Sequence, residues 1–333
     1  MQRADGDVRP VRVGIVGAGG VAERHARVLS GLPGVEVAGV ADTVAERADA
    51  LAGAVGATPF PDAEALVGRL GDDGRLDALY VCTPPFARGG PEALAVERGL
   101  PLFVEKPLAA DLDTAEDVAA EVEAAGLPTG TGYHWRQLDT VEEARALLDG
   151  RAPGLVVGRW LDKVPPPAWW VRRHGSGGQV VEQATHLVDL ARVLVGEVES
   201  VFAAGTSVGR TAPDGDIDEV TGGTLRFAGG AVGTLAATCL ADRARATTLE
   251  VVADGLVLEV SETALVVHDA EGTRRVEPKV DPRQAVDREF VEVVRGERAS
   301  TRAPYAEALR SHRVACALAT SARRGRVMVL SPI

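Results

Sequence analysis

From Val11 to about Gly132, short β-branched runs alternate with longer stretches rich in Ala, Glu and Arg. The runs Val11–Val16, Val35–Ala41, Ala78–Val81, Leu102–Val104 and Thr129–Thr131 read as strands. Between them Val21–Ser30, Thr43–Ala54, Pro91–Arg98 and Thr114–Ala125 carry helical patterns. Strand–helix alternation of this kind predicts a parallel sheet covered on both faces. Past Trp135 the pattern changes. A helical segment (Thr140–Leu148), a strand (Leu155–Leu161) and a Pro/Trp-rich loop lead to a helix over Val180–Leu194. The runs Gly222–Phe227, Ala231–Thr238, Thr247–Ala253 and Leu256–Val260 are then separated by turn signals such as Ala228-Gly229-Gly230 and Ala253-Asp254-Gly255, which predict antiparallel hairpins. Helices at Pro282–Arg295 and Tyr305–Arg323 and a short strand at Arg326–Leu330 follow. The expected fold class is α/β. A parallel, doubly wound domain occupies residues 1–133, and an α+β domain with a large, mostly antiparallel open sheet occupies 134–333, its terminal segment returning to the first domain.

Composition narrows the function. A chain of 333 residues, 46% hydrophobic, can build one large or two ordinary cores. Its 48 acidic against 36 basic residues, a net charge of −12, argue against a nucleic-acid partner. Cys82, Cys239 and Cys316 are scattered and odd in number, which fits a reducing compartment. No His/Cys/Asp set shows metal-ligand spacing, so no metal is expected. Met1–Pro10 is polar, and no uncharged apolar run approaches the roughly 18 residues of a membrane span. A cytoplasmic protein with no membrane partner is expected. Only Lys106, Lys163 and Lys279 are lysines; every other basic residue is Arg. The two exchange freely on a solvated surface, but not where a compact ammonium must give up its proton. The three lysines are therefore places to look.

The first strand ends in Gly17-Ala18-Gly19-Gly20-Val21-Ala22, a G-x-G-x-x-A turn that opens a helix. In a dinucleotide-binding turn the first glycine allows the tight bend, the second lets backbone approach the pyrophosphate, and the small third residue packs helix on strand. Asp42 closes the second strand 20 residues after Ala22, where a carboxylate would take the adenosine ribose hydroxyls and repel a 2′-phosphate. NAD is thus favoured, and Arg47, about one helical turn on, keeps NADP within reach. A glycine turn that merely joins strand to helix is the plainer alternative, and the full strand–turn–helix context argues against it.

Lys106 follows the strand Leu102–Val104 and precedes Pro107, so it stands at the carboxyl edge where doubly wound sheets bind ligands. An ammonium beside a nicotinium ring is disfavoured by the neighbouring positive charge, which suits it to proton transfer. At these residues the chain resembles the glucose-fructose oxidoreductase / inositol dehydrogenase / MocA family over nearly its whole length. The carriers are Gly17–Ala22, Val40-Ala41-Asp42, Cys82-Thr83-Pro84, Glu105-Lys106-Pro107-Leu108, Gly177 through Asp189, and the closing Ser321–Val327. The resemblance implies a Rossmann domain, a C-terminal domain whose open sheet serves a homodimer or homotetramer, and carbohydrate or polyol substrates. It also implies that Lys106 and His186 serve the proton transfer. The candidate cofactor set is Gly17, Gly19, Gly20, Val21, Asp42, Thr43, Arg47, Thr83, Pro84, Glu105 and Lys106. Where the family has Asp four residues before the histidine, this chain has Glu182; at i, i+4 on one helix face a Glu182–His186 pair stays feasible. Pro85 and Arg88 stand where the family tends to have Asn and His. His25, His268 and His312 have no comparable setting and read as structural.

All four tryptophans lie between Trp135 and Trp170. Flat aromatic faces pack on the C–H faces of sugars, but they equally fill a domain seam or a subunit interface. Tyr133, Trp135, Arg136, Lys163, Trp169, Glu182 and His186 are the substrate candidates, and only one of the adjacent Trp169 and Trp170 is expected to face the pocket. The expected function is hydride transfer between nicotinamide and a secondary hydroxyl or ketone of a sugar, inositol or ketosugar. An NAD-dependent glycosidase and a non-catalytic nucleotide sensor or repressor are the rivals.

Overall fold

A computed structural model describes residues 9–71 and 74–331. The polar segment Met1–Val8 lies outside them. In chain order the elements are β1 (Val11–Val16), α1 (Gly20–Gly31), β2 (Val35–Ala41), α2 (Ala45–Val55), β3 (Thr58–Phe60), α3 (Ala63–Gly71), β4 (Ala78–Val81), α4 (Gly90–Glu97), β5 (Leu102–Val104), α5 (Leu112–Ala125) and β6 (Thr129–Thr131). Then come α6 (Asp139–Leu148), β7 (Pro153–Leu161), α7 (Arg173–Ser176), α8 (Gln179–Glu182), α9 (Thr185–Val195), β8 (Val198–Thr206), β9 (Val220–Phe227), β10 (Val232–Thr238), β11 (Ala246–Ala253), β12 (Leu256–Ser261), β13 (Leu265–Asp269) and β14 (Gly272–Val276). α10 (Pro282–Val294), α11 (Tyr305–Arg324) and β15 (Met328–Val329) complete the series.

Contacts divide the chain into two units. The first gathers the chain up to Glu105 with Thr114–Gly132 and Arg283–Ala306; the second gathers Lys106–Asp113, Tyr133–Pro282 and the chain from Glu307 onward. The division thus falls on the peptide bond between Glu105 and Lys106.

The first unit holds a six-stranded parallel sheet in the order β3-β2-β1-β4-β5-β6, the Rossmann order. β4 and β5 are buried along their whole length, as strands covered on both faces must be. α10 packs Val286, Phe290 and Val291 into the core of Ile15, Tyr80 and Phe103. The Phe290 ring meets Tyr80 at 5.4 Å and Phe103 at 5.5 Å, both edge-on. A fully buried ring of this size contributes roughly 2–3 kcal/mol. Two elements escape the hydrophobic pattern: β3 has three residues with Pro59 at its centre, and α3 follows it directly.

The second unit holds nine strands in the order β14-β13-β12-β11-β7-β10-β9-β8-β15, antiparallel except for the β7–β10 pair. α6 and α9 bury one face of this sheet through Val141, Leu148, Leu187 and Leu194. The other face alternates out to solvent and carries Leu155, Phe202 and Val232, each more than two-fifths exposed. The helix expected over Val180–Leu194 is broken. α8 ends at Glu182 and α9 starts at Thr185, with Gln183 at φ −106° and ψ −57° between them. The apolar period runs through this break, which is why periodicity does not reveal it. Among the described residues no helix is long and apolar enough to cross a membrane.

Candidate active site

The glycine turn divides its residues into two kinds. Gly17 has φ +96°, and a Cβ there would lie 2.8 Å from the Cys82 carbonyl, so both conformation and packing demand glycine. Gly19 is extended (φ −85°, ψ 178°), and a Cβ at Gly19 or Gly20 would meet nothing within 4 Å. The fold makes no demand for glycine at either position. The bare backbone leaves open space at the N-terminus of α1, where no side chain caps the free N–H groups. This is a cradle that a Cβ would fill, and it fits a pyrophosphate. Gly20 and Val21 are exposed beside it. Asp42 accepts the Ala18 N–H at 2.7 Å through one carboxylate oxygen and the Val44 N–H at 2.9 Å through the other, tying the end of β2 to the turn. Thr43 and Arg47 are exposed, and Arg47 lines a groove of about 650 Å³ between α1 and α2.

The loop after β4 is stapled to the end of β5 by Arg88. Its guanidinium donates to the Thr83 carbonyl at 2.8 and 3.1 Å and to the Glu105 carbonyl at 2.7 Å, with Glu92 buried at 3.9 Å. Arg88, a departure from the family pattern, is thus taken up by the fold, and Thr83 and Pro84 are half-buried on the loop it fixes. The Glu105 side chain is equally committed. Its carboxylate meets His25 Nε2 at 2.9 Å and Arg24 at 3.2 Å, while His25 Nδ1 meets Asp287 at 2.6 Å. Burial alone would lower the His25 pKa, but Asp287 and Glu105 outweigh it and raise it to about 9. Burial likewise pushes the Asp287 carboxyl up, so the pair keeps its proton through the neutral range. His25, read from sequence as structural, is a buried imidazolium bridging two carboxylates.

The Lys106 ammonium donates to Glu182 twice, to a carboxylate oxygen at 2.7 Å and to the backbone carbonyl at 2.9 Å. The carboxylate that sequence spacing pairs with His186 is bound to Lys106, and its other oxygen accepts the Trp170 indole N–H at 2.8 Å. His186 heads α9 inside an aromatic enclosure. Trp135 and Trp160 stack with it at 5.7 and 6.0 Å, and Tyr133 and His134 meet it edge-on at 6.0 and 5.0 Å. Tyr133 shares a 2.7 Å hydrogen bond with Thr185, and burial pushes its phenol pKa up.

The substrate candidates separate here. Tyr133 and Trp135 are buried against His186. Arg136 grips Asp189 with two hydrogen bonds of 2.7 and 2.8 Å and serves the anchoring of α9. Lys163 is exposed, and Trp169 packs with Trp170, Ile217 and Cys239. Trp160 and His134 are the neighbours of His186 that sequence reasoning missed. Trp160 sits in the middle of the tryptophan window, and only its strand phase, shared with inward-facing Val156 and Gly158, could have singled it out.

A Rossmann-order sheet with an open glycine cradle, joined to a unit presenting a lysine–carboxylate pair, defines the class of two-unit NAD-binding oxidoreductases. Comparison with known proteins makes the class specific. Residues 11–133 match the model of the GFO/IDH/MocA oxidoreductase family with its NAD-binding Rossmann fold, and residues 142–258 match the GFO/IDH/MocA C-terminal domain. The chain belongs to this family, and its cofactor class is NAD. It is 28% identical over 235 residues to scyllo-inositol 2-dehydrogenase (NAD(+)) of Bacillus subtilis, covering 68% of this chain and 67% of that protein. It is 30% identical over 202 residues to the rhizopine catabolism protein MocA of Rhizobium meliloti, covering 59% and 61%. Among solved structures, levoglucosan dehydrogenase with NADH and levoglucosan superposes with a TM-score of 0.86 at 20% identity, covering 97% of this chain and all of that one. The WlbA dehydrogenase of Bordetella pertussis with NADH and UDP-GlcNAcA gives 0.80 at 24%, covering 98% and 100%. At these identities the structural likeness is one of fold.

Proposed function

We propose that the chain transfers hydride between NAD and a secondary hydroxyl or ketone carbon of a sugar, inositol or ketosugar, with Lys106 as the acid–base group. When bound, NAD takes or returns the hydride at nicotinamide C4. In oxidation the neutral Lys106 amine takes the hydroxyl proton as the carbon gives up its hydride, leaving a ketone and an ammonium. Reduction reverses each transfer. The observation that carries the reading is the Lys106–Glu182 pair, in which the amine is oriented from two directions and stays partly open to a ligand. His186, which sits beside both Trp135 and Trp160, orients the hydroxyl and shares its proton. Asp42 leans the enzyme toward NAD over NADP. A second copy of the chain covers the apolar open face at Leu155, Phe202 and Val232. The test is a screen of sugars, inositols and ketosugars against both nucleotides, followed by the absorbance of the reduced nicotinamide. Turnover with a polyol or ketosugar and NAD is expected. Absence of nucleotide binding, or glycoside cleavage without net reduction, would overturn the reading.

A further inference from the structure

Trp170 has no place in the reading above, yet it is 1% exposed and lies in the core formed with Ile217 and Cys239. Its backbone is fixed as well, because the Ser176 hydroxyl donates to its carbonyl at 2.7 Å. The indole N–H can therefore point in one direction only, and it points at Glu182 Oε2. The Lys106 ammonium donates to the other oxygen of the same carboxylate. The carboxylate is thus strung between a rigid neutral donor and the amine. Glu carries one more methylene, and one more rotatable bond, than the Asp its family commonly has here. A longer arm reaches further but is less well aimed, unless something holds its end.

We propose that Trp170 is a positioning residue for the proton transfer, acting on Lys106 through Glu182. The indole N–H fixes the rotamer of the longer carboxylate and draws charge toward Oε2, which lessens the hold of Oε1 on the ammonium. Loss of the N–H concentrates charge on Oε1 and retains the proton on Lys106 to higher pH. The inference rests on the acid–base role given to Lys106, so it needs a measurement independent of turnover.

Lysine labelling supplies one. With only three lysines in the chain, an amine-reactive reagent followed by mass spectrometry across a pH series reads Lys106 against Lys163 and Lys279 as internal standards. Trp170→Phe should move the Lys106 labelling curve to higher pH and leave the other two in place. In turnover it should lower kcat about tenfold in the oxidative direction, move the rising limb of the kcat–pH profile the same way, and leave the KM for NAD unchanged. In a Glu182→Gln background Trp170→Phe should add nothing, because the group it acts through is gone. If Trp170→Phe is too unstable to purify, benzothienylalanine at position 170 keeps the ring volume and lacks only the N–H. An unmoved Lys106 curve, or an equal effect in both backgrounds, would overturn the proposal. A moved curve without turnover on any polyol or ketosugar would leave the proposal standing and sink the substrate reading.

Discussion

The Glu105 side chain is 6% exposed and bound to His25 and Arg24, whereas that of Lys106, one peptide bond further, is 17% exposed and bound to Glu182. Both belong to ion pairs, but the pairs do different things. The His25–Glu105–Asp287 cluster is closed off from water, with His25 and Asp287 wholly buried, so its charges are held by one another and cannot exchange with a ligand. A cluster of that kind adds little net stability over an apolar core, yet breaking it is costly. The Lys106–Glu182 pair keeps both side chains partly open, which is the condition for passing a proton to something that binds. Charged residues side by side in a motif can therefore divide into one that the fold consumes and one that it leaves available.

The most direct way to break this contrast is Lys106→Met. Turnover should fall about 10³-fold, the range set by loss of a general acid–base group. The thermal midpoint should hold, because Lys106 is partly exposed and outside the buried cores. Steady-state rates beside a melting curve decide it, and a variant that retains turnover would remove the distinction.

The mirror experiment is His25→Leu. It takes from Glu105 and from the buried Asp287 the imidazolium that they share. A loss of about 3–5 kcal/mol in urea unfolding is expected, with kcat of the folded enzyme nearly unchanged. A stable variant with poor turnover would place His25 on the chemical side.

This part of the molecule was also the least legible in the sequence. The glycine turn, Asp42 and Lys106 can be read because strand, turn and helix follow one another along the chain and fix them locally. The partners of His25 lie 80 and 262 residues away, and no local pattern announces them. The Lys106–Glu182 pair is hidden for a related reason. Helical spacing is blind to a two-residue break, and the competing partner, Lys106, sits 76 residues upstream. Arg88 stands out in the sequence as a departure from the family, but its use as a staple depends on two carbonyls brought together by the sheet.

The His25 imidazolium also gives the contrast a pH signature. Its pKa rises from 6.5 unfolded to about 9 folded, so between those values the native state holds more protons than the unfolded one. Its contribution is fully present below pH 6.5 and is lost as pH climbs through about 9, up to about 3 kcal/mol in all. Urea midpoints measured from pH 6.5 to 9 should decline in the parent chain and decline less in His25→Leu. Equal slopes would mean that the imidazolium is not the group responsible.

The smallest effect tests the same division within a single turn. Gly17 is consumed by the fold, through its φ of +96° and the Cys82 carbonyl against it, so Gly17→Ala should be destabilising. Gly19, two residues on, has a backbone that alanine adopts freely and no atom within 4 Å of an added methyl. Gly19→Ala should therefore fold at least as well as the parent, helped by the lower entropy of its unfolded chain. If the cradle exists to bring backbone N–H groups against a pyrophosphate, that same methyl occupies the approach. The Kd for NAD should then rise about tenfold, or roughly 1.4 kcal/mol, by calorimetric titration. A Gly19→Ala chain that binds NAD as the parent does would mean that the open turn is not where the phosphates lie, however well its glycines match the pattern.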